Sequence, residues 1–222
     1  PRGAAVNAAE NQTSVTTVTR SDVDGGAAVY SIAGSADAAL FSINPTTGVL
    51  SFNSAPNFEA PADAGSNNVY DVTVQVADGA GGTDTQAIAV TVTNVNEAPV
   101  NSVPGAQTTS QNATLVFSSA NGNAISIADV DAGAAAVQVS LTASNGALTL
   151  GGTTGLAFTT GDGSADATMT FTGSVANINA ALQGLGFAPT AGYTGSATLQ
   201  ITTNDQGNSG SGGALADTDA VT

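Results

Sequence analysis

The segment from Asn94 to Val100, NVNEAPV, concentrates oxygen-bearing side chains in one short stretch. It follows the run TDTQAIAVTVT, whose alternation of polar and apolar residues predicts a half-buried strand. The amide oxygens of Asn94 and Asn96 and the carboxylate of Glu97 are hard ligands of the kind that calcium takes. These residue types predict a cation site at the point where the strand ends.

Such a site needs more ligands than the segment supplies, because calcium takes about six to eight oxygen atoms. We expect the others from loops at the facing ends of two domains, with Glu10 and Glu59 in the first domain and Asp129, Asp131 and Asp205 in the second. Two carboxylates ~4 Å apart repel each other by about 4 kcal/mol at an effective dielectric constant of 20. The cluster therefore predicts its own counterion, calcium.

The composition excludes several functions. The chain of 222 residues has 17 acidic residues, two arginines and no lysine, histidine or cysteine, for a formal charge of −15. Such a surface repels nucleic acid and anionic membrane surfaces. Catalytic triads, cysteine nucleophiles, histidine or thiolate zinc sites and lysine Schiff bases are ruled out, which leaves carboxylate chemistry. With no tryptophan to stack on a sugar, we predict that the chain is not an enzyme.

The elements that must position these ligands are short strands separated by Gly, Asn, Asp and Pro turns. Period-two alternation over such strands favours an all-β fold of antiparallel Greek-key sandwiches. One stretch differs, because Val175, Ile178, Leu182 and Leu185 recur at helical spacing after Ser174, a suitable N-cap. They predict a short helix over one edge of the second sandwich. The predicted strands are 14–19, 27–32, 48–52, 69–77, 85–93, 113–118, 124–128, 136–143, 147–150, 167–173 and 196–203.

The two halves of the chain echo each other. TRSDVDGG (19–26) is echoed by IADVDAG (127–133), and VQVADGAGGTDTQ (74–86) by QITTNDQGNSGSGGALADTD (200–219). We therefore predict two related domains, residues 1–98 and 99–222, that meet near Pro99. The last strand of the second domain is predicted to be incomplete, because DTDAVT is much shorter than its counterpart DTQAIAVTVTNVN. Either the fragment was cut there, which is the simpler explanation, or the sandwich lacks part of this strand.

Seven short motifs occur in the order of the cadherin repeat. They look most like the cadherin-like repeats of large bacterial surface proteins, including adhesins of the repeats-in-toxin type. The resemblance is dense over residues 1–100 and sparser in the second domain, where DVDAG and TTNDQGN carry it. The motifs are AEN (9–11), DVD (22–24), YSI (30–32), FSINPTTGVL (41–50), NFE (57–59), VTVQVADG (72–79) and NVNEAP (94–99).

This resemblance implies a set of calcium ligands. Asp22, Asp24 and Asp78 would lie at the N-terminal end of the first domain and face an upstream domain. Asn57 and Asn94 stand where the family usually has aspartates, so one or two ions are expected instead of three. The ligands implied between the two domains are Glu10, Glu59, Asn96, Glu97, Asp129, Asp131 and Asp205.

Three functions fit the sequence. The first is a tandem-repeat module of a bacterial cell-surface or secreted adhesion or matrix protein, whose joint calcium rigidifies and whose partners are neighbouring repeats, copies of itself or glycans. The second is a subunit of an extracellular fibre, completed by strand addition between neighbours at the incomplete last strand. The third is a carbohydrate-binding module, which would need an exposed aromatic cluster. All three place the chain outside the cell.

Overall fold

The structure, a computed structural model, describes residues 4–21 and 27–222. The chain divides into two compact units, Pro1–Val95 and Asn96–Thr222, and each unit has its own hydrophobic core. The sequence places the domain boundary three residues further along, after residue 98. The predicted ranges, residues 1–98 and 99–222, stay a prediction.

The first unit is a sandwich of two sheets. One sheet has the strand order β1-β7-β6-β3, and the other has the order β2-β5-β4. Alternation along β6 and β7 buries one face of each strand, and the register places Val72 opposite Ile88. The described strands are β1 (Ala4–Ala9), β2 (Ser14–Thr17), β3 (Val29–Gly34), β4 (Phe41–Ile43), β5 (Val49–Phe52), β6 (Val69–Ala77) and β7 (Thr83–Thr93).

An aromatic cluster fills the first core. The rings of Phe41 and Phe52 stack with centroids 4.6 Å apart, and Tyr70 meets Phe52 edge-on at 5.2 Å. The hydroxyl oxygen of Tyr70 accepts a hydrogen bond from the Ala62 N–H. Buried Tyr70 therefore joins the core to the long loop between β5 and β6, which carries Glu59.

One strand pair departs from the predicted antiparallel arrangement. β1 pairs with β7 in parallel, from Ala4 opposite Ile88 to Ala9 opposite Thr93. The sequence AAVNAA of β1 has no clear alternation, and no strand was predicted there. The parallel pairing matters for the site, because it makes β1 and β7 end at the same edge of the sheet.

The second unit is a larger sandwich. Its sheets have the strand orders β13-β14-β11-β16-β17, β12-β15-β9 and β10-β8. β17 pairs with β16 along all of Leu199–Asn204, and the predicted incompleteness of this strand stays a prediction. The strands are β8 (Val100–Ser102), β9 (Leu115–Phe117), β10 (Ser126–Ala128), β11 (Ala136–Ala143), β12 (Gly146–Thr149), β13 (Ala157–Thr160), β14 (Thr168–Ser174), β15 (Leu185–Pro189), β16 (Leu199–Asn204) and β17 (Ala216–Val221).

A single α-helix, α1 (Val175–Leu182), lies in the described part of the second unit. It begins where predicted, and the Ser174 hydroxyl accepts a hydrogen bond from the Asn177 N–H. Leu185 was wrongly placed on the helix: Gly184 adopts a φ of 90°, and Leu185 continues into β15. The Asn179 amide bonds both backbone groups of Ile127, each at 2.8 Å, so the helix covers one edge of β10.

The prediction of an all-β fold with two tandem sandwiches and a short helix in the second is confirmed. Within residues 4–21 and 27–222, no helix is both long enough and apolar enough to cross a membrane.

Candidate metal centre

Glu10 is a buried carboxylate at the sheet edge where β1 and β7 both end. Its side chain is 2% exposed, and its backbone N–H continues the parallel pairing by donating to the Thr93 carbonyl. One carboxylate oxygen accepts a hydrogen bond from the Phe58 N–H at 2.7 Å, and the other accepts one from the Val95 N–H at 2.8 Å. Glu10 thus ties the β5–β6 loop to the residue that follows β7.

Glu59 lies close to Glu10 on the same unit. A carboxylate oxygen of Glu59 lies within 4.8 Å of one of Glu10, and Glu59 accepts a hydrogen bond from the Asn94 amide at 2.8 Å. The Asn68 amide holds this part of the loop by donating to the Phe58 carbonyl at 2.8 Å. Glu59 is exposed while Glu10 is buried, so a cation here would have one accessible ligand and one fixed ligand. We call Glu10 and Glu59 the first-unit acidic group.

Asp129 and Asp131 occupy the turn that follows β10. Asp129 Oδ1 accepts hydrogen bonds from the N–H groups of Asp131 and Ala132, both at 3.0 Å, which is the usual way an aspartate shapes a tight turn. Asp131 is buried, and its Oδ2 accepts a hydrogen bond from the Glu97 N–H at 2.6 Å. The turn therefore holds the backbone of the NVNEAPV segment.

Asp205 directly follows β16 and is fully buried. Its Oδ1 accepts hydrogen bonds from the N–H groups of Gly207 and Leu215, both at 2.8 Å, and closes the loop between β16 and β17. Its Oδ2 accepts a hydrogen bond from the Asn96 amide at 2.6 Å. The same amide also donates to the Gly213 carbonyl, so Asn96 lies firmly against this loop. We call Asn96, Glu97, Asp129, Asp131 and Asp205 the second-unit acidic group.

The carboxylates of the second-unit acidic group differ in their electrostatics. Burial raises the pKa of Asp129 above its ordinary 3.8, and the nearby carboxylates of Asp205 and Asp131 raise it further, while N–H donors only partly oppose this. Burial acts in the same direction on Asp205, but hydrogen bonds from Gly207, Leu215 and Asn96 outweigh it and lower the pKa. The ionised form of Asp129 is therefore disfavoured in the folded chain, and that of Asp205 is favoured.

The oxygen atoms of the second-unit acidic group fit a hard cation. Asn96 Oδ1 and Asp129 Oδ2 are buried, and neither has a hydrogen-bond partner in the described part of the chain. A buried acceptor without a donor costs about 1–3 kcal/mol. Carboxylate and amide oxygens that lack donors are the ligands calcium prefers. The arrangement leaves these two oxygens available to a cation.

A pH dependence follows from the raised pKa of Asp129. In chelator and below the ordinary pKa of 3.8, Asp129 is protonated in both states and does not lower the free energy of unfolding. As the pH rises from that value through the higher folded pKa, burial of Asp129 should lower the free energy of unfolding. We expect Asp129→Asn to match the wild type near pH 3 and to be more stable at pH 7, since the asparagine Oδ1 can still accept both N–H bonds. Urea unfolding across this pH range checks the prediction, and a variant less stable than wild type at pH 7 would contradict it.

The remaining predicted ligands are Asp22, Asp24 and Asp78. Asp22 and Asp24 lie outside the described residues. Asp78 lies in the turn between β6 and β7, at the opposite end of β7 from Glu10, and its Oδ1 accepts hydrogen bonds from the N–H groups of Ala80 and Gly82. Its position agrees with a role at the N-terminal end, but calcium binding there stays a prediction.

Sequence reasoning missed the backbone groups of the β16–β17 loop and the residue Asn101. Asn96 donates its N–H to the Ser211 carbonyl at 2.9 Å, in addition to the bonds of its side chain. Asn101 bonds the strands on either side of that loop. The run NSGSGG was a visible signal, since glycine and serine allow a loop to present its carbonyls.

The tyrosines give the carbohydrate-binding alternative no platform. Tyr30 and Tyr70 are buried in the first core, at 8% and 1% exposure, and Tyr193 is half-buried. A sugar-stacking site needs exposed ring faces, so these three residues do not support that function.

Comparison with known proteins gives a family match within the first unit. Residues 2–91 match the family model described as Bacterial Ig domain. This match confirms the predicted relationship to bacterial cadherin-like and Ig-like repeat domains, while the repeats-in-toxin context stays a prediction. The search of curated proteins found no match.

Solved cadherin structures resemble the chain weakly. Human protocadherin-24 EC1-2 (Form II) is 17% identical with a TM-score of 0.46, and the alignment covers 98% of this chain and 91% of that one. Drosophila N-cadherin EC1-4 is 16% identical with a TM-score of 0.45, over 99% of this chain and 47% of that one. Protocadherin gamma B2 EC3-6 is 14% identical with a TM-score of 0.41, and this chain spans only 45% of its length. With TM-scores below 0.5, these likenesses carry no weight for function.

Proposed function

Starting from the match of residues 2–91 to the bacterial Ig domain, we propose that this chain is a tandem module of a bacterial cell-surface or secreted adhesion or matrix protein, stabilised by calcium at the joint between its units. Domains of this class are generally extracellular, adhesive and non-enzymatic. The partners are then neighbouring repeats or copies of the same chain. The charge of −15 opposes binding to nucleic acid or anionic membranes.

One observation carries the proposal. Asn96 Oδ1 and Asp129 Oδ2 are buried oxygens that no donor reaches within residues 4–21 and 27–222, in the same unit as the buried carboxylates Asp131 and Asp205. A protein that used this region only for packing would gain stability from apolar residues instead. Keeping several buried carboxylates together is favourable when a cation neutralises them.

Both acidic groups hold the segment that links the units. Glu10 accepts the Val95 N–H within the first unit, and Asp131 accepts the Glu97 N–H within the second. Val95 and Glu97 are two residues apart, and consecutive Cα atoms are about 3.8 Å apart. The Cα atoms of Val95 and Glu97 therefore stay within about 8 Å of each other. This tether supports ligation by both groups, with Glu10, Glu59, Asn96, Glu97, Asp129, Asp131 and Asp205 as the proposed ligands.

The residues themselves explain how the joint would be controlled. Bound calcium supplies positive charge that offsets the repulsion among the carboxylates. Glu10 and Asp131 hold the backbone of the linker, and Asn96 and Asp205 hold it against the β16–β17 loop. Without the neutralising charge, ionised Asp129 is disfavoured by burial, so the second-unit acidic group loosens and the linker becomes a hinge.

The first experiment is a calcium titration of wild type and Asp129→Asn by calorimetry and thermal unfolding. At 100 times its Kd, calcium should stabilise the wild type by about 2.7 kcal/mol. Asp129→Asn should weaken binding at least tenfold, because it removes a ligand charge. Asp162→Asn is the matched control: it makes the same charge change at an exposed turn of the same unit and should bind calcium like the wild type. Absence of wild-type binding at millimolar calcium would refute the proposal.

Small-angle X-ray scattering separates the adhesion module from the fibre alternative. We expect a monomer in both conditions, with a narrower distribution of interatomic distances in calcium than in chelator. Scattering mass that grows with concentration would instead favour fibre assembly by strand addition. Identical curves in calcium and chelator would rule out calcium control of the joint.

A further inference from the structure

A buried hydrogen-bond network lies five residues beyond Asn96, outside the proposed ligand set. The Thr203 hydroxyl donates to Asn101 Oδ1 at 2.6 Å, and the Asn101 N–H donates to Asp217 Oδ2 at 2.7 Å. Thr203 is fully buried, and Asn101 is 8% exposed. Thr203 and Asp217 face each other across β16 and β17, so Asn101 bonds both strands at once. We call Asn101, Thr203 and Asp217 the Asn101 latch.

The latch and Asn96 hold the same hairpin at two places. Asn96 bonds the β16–β17 loop through Asp205, Ser211 and Gly213. Asn101 bonds the strands from which that loop projects. Five residues span at most about 17 Å, so two attachments on one hairpin determine both the position and the direction of the chain from Asn96 to Asn101.

The latch is an unfavourable choice if packing is its only role. Asn101 Nδ2 is buried and finds no acceptor within residues 4–21 and 27–222. A buried donor without a partner costs free energy that an apolar side chain in β8 would avoid. Buried polar groups of this kind are best explained where they specify one geometry over others.

We propose that Asn101 is a positioning residue for the second-unit acidic group. By fixing β8 to β16 and β17, it holds Asn96 in the place where the Asn96 amide meets Asp205 and Asn96 Oδ1 is left for a cation. The inference rests on the proposed function for its effect on calcium, while its effect on Asn96 is independent of calcium.

The test uses the full chain and Thr203→Val, which removes the hydroxyl and keeps the branched shape. The first readout is hydrogen exchange of the Asn96 side-chain amide by NMR in chelator, and the second is the calcium Kd by calorimetry. Thr203→Val should speed the exchange about tenfold and weaken calcium binding about tenfold, the lower end for loss of an outer-shell partner. Thr202→Val is the matched control: the Thr202 hydroxyl bonds the Thr218 hydroxyl at an exposed position, and both readouts should stay within twofold of wild type.

A second pair of variants protects the test against a folding defect. Asp217→Ala removes the acceptor for the Asn101 N–H, whereas Asp217→Asn keeps an acceptor oxygen and should rescue the Asn96 exchange rate. Asp219→Asn gives the matched charge change two residues along β17. Equal exchange rates in Thr203→Val and wild type, or in Asp217→Ala and Asp217→Asn, would show that Asn101 does not position Asn96. Failure of the wild type to bind calcium would overturn the proposed function. The exchange rates in chelator would still decide whether Asn101 positions Asn96.

Discussion

Replacing Asp205 with alanine is expected to lower the free energy of unfolding of the second unit by about 4 kcal/mol, a large effect for one substitution, because it breaks a buried hydrogen-bond network. The side chain is fully buried and accepts three hydrogen bonds, from the N–H groups of Gly207 and Leu215 and from the Asn96 amide. Removing the carboxylate leaves these donors without their acceptor. Urea unfolding in chelator measures the loss, and hydrogen exchange with mass spectrometry assigns it to the second unit.

Two further variants define what the Asp205 result means. Asp219→Ala removes a carboxylate from a partly exposed position on β17 and should change stability by less than about 0.5 kcal/mol. Asp205→Asn keeps one acceptor oxygen for the two backbone donors and should lie between Asp205→Ala and wild type. If Asp205→Ala unfolds at the same urea concentration as Asp219→Ala, Asp205 is not the structural anchor of the β16–β17 loop.

Replacing Glu10 with alanine is expected to lower the free energy of unfolding of the first unit by about 3 kcal/mol. Glu10 makes two hydrogen bonds in which the acceptor is charged, to the N–H groups of Phe58 and Val95, and each such bond contributes about 1.5–3 kcal/mol. Their loss also frees the loop that carries Glu59, so calcium binding should weaken as well. Urea unfolding and calorimetry measure the two effects separately.

Glu59→Ala is the matched control for Glu10→Ala. Glu59 is exposed and bonds the Asn94 side chain, so its removal should change the free energy of unfolding in chelator by less than about 1 kcal/mol. If both glutamates are calcium ligands, both variants should weaken calcium binding, but only Glu10→Ala should destabilise the unit without calcium. Equal stability of the two variants in chelator would show that Glu10 is not a buried anchor.

Together these variants separate two roles of the acidic residues. Glu10 and Asp205 each accept hydrogen bonds from two backbone N–H groups and hold loops even without a cation. Asp129 has one oxygen that accepts the N–H bonds of the turn and one buried oxygen to which no group of the described residues donates. Relative to wild type, Asp129→Asn should therefore raise the free energy of unfolding in chelator and lower it in calcium. A purely structural carboxylate would not produce this reversal.

Much of the fold was predictable where one sheet face is buried. The predicted limits of β6 and β11, 69–77 and 136–143, match the observed strands, because alternation of apolar and polar residues directly reports a half-buried strand. β4 and β8 were not predicted, and neither were the longer strands β13 and β15. β1 was missed because AAVNAA is a strand only through its parallel pairing with β7.

The candidate site was also predictable from the sequence only in part. Residue type alone made Glu10, Glu59, Asp129, Asp131 and Asp205 candidate oxygen ligands, since a chain without histidine, cysteine or lysine has few other groups to offer. Their separate roles could not be predicted, because a carboxylate's role depends on which N–H groups surround it after folding. Only the tertiary structure brings the N–H groups of Phe58 and Val95 to Glu10, and that of Leu215 to Asp205, from 10 to 85 residues away in the chain.

By itself, the sequence determined the all-β class, the tandem arrangement and the oxygen-rich set of candidate ligands, because these follow from local alternation, internal repetition and the residue types present. The tertiary structure decided which carboxylates anchor loops and which oxygens have no donor among the described residues. It also revealed the Asn101 latch, whose three members come from β8, β16 and β17. Hydrogen-bond partners so distant in sequence leave no local pattern, and their pairing is determined by sheet register and by the path of the chain between strands.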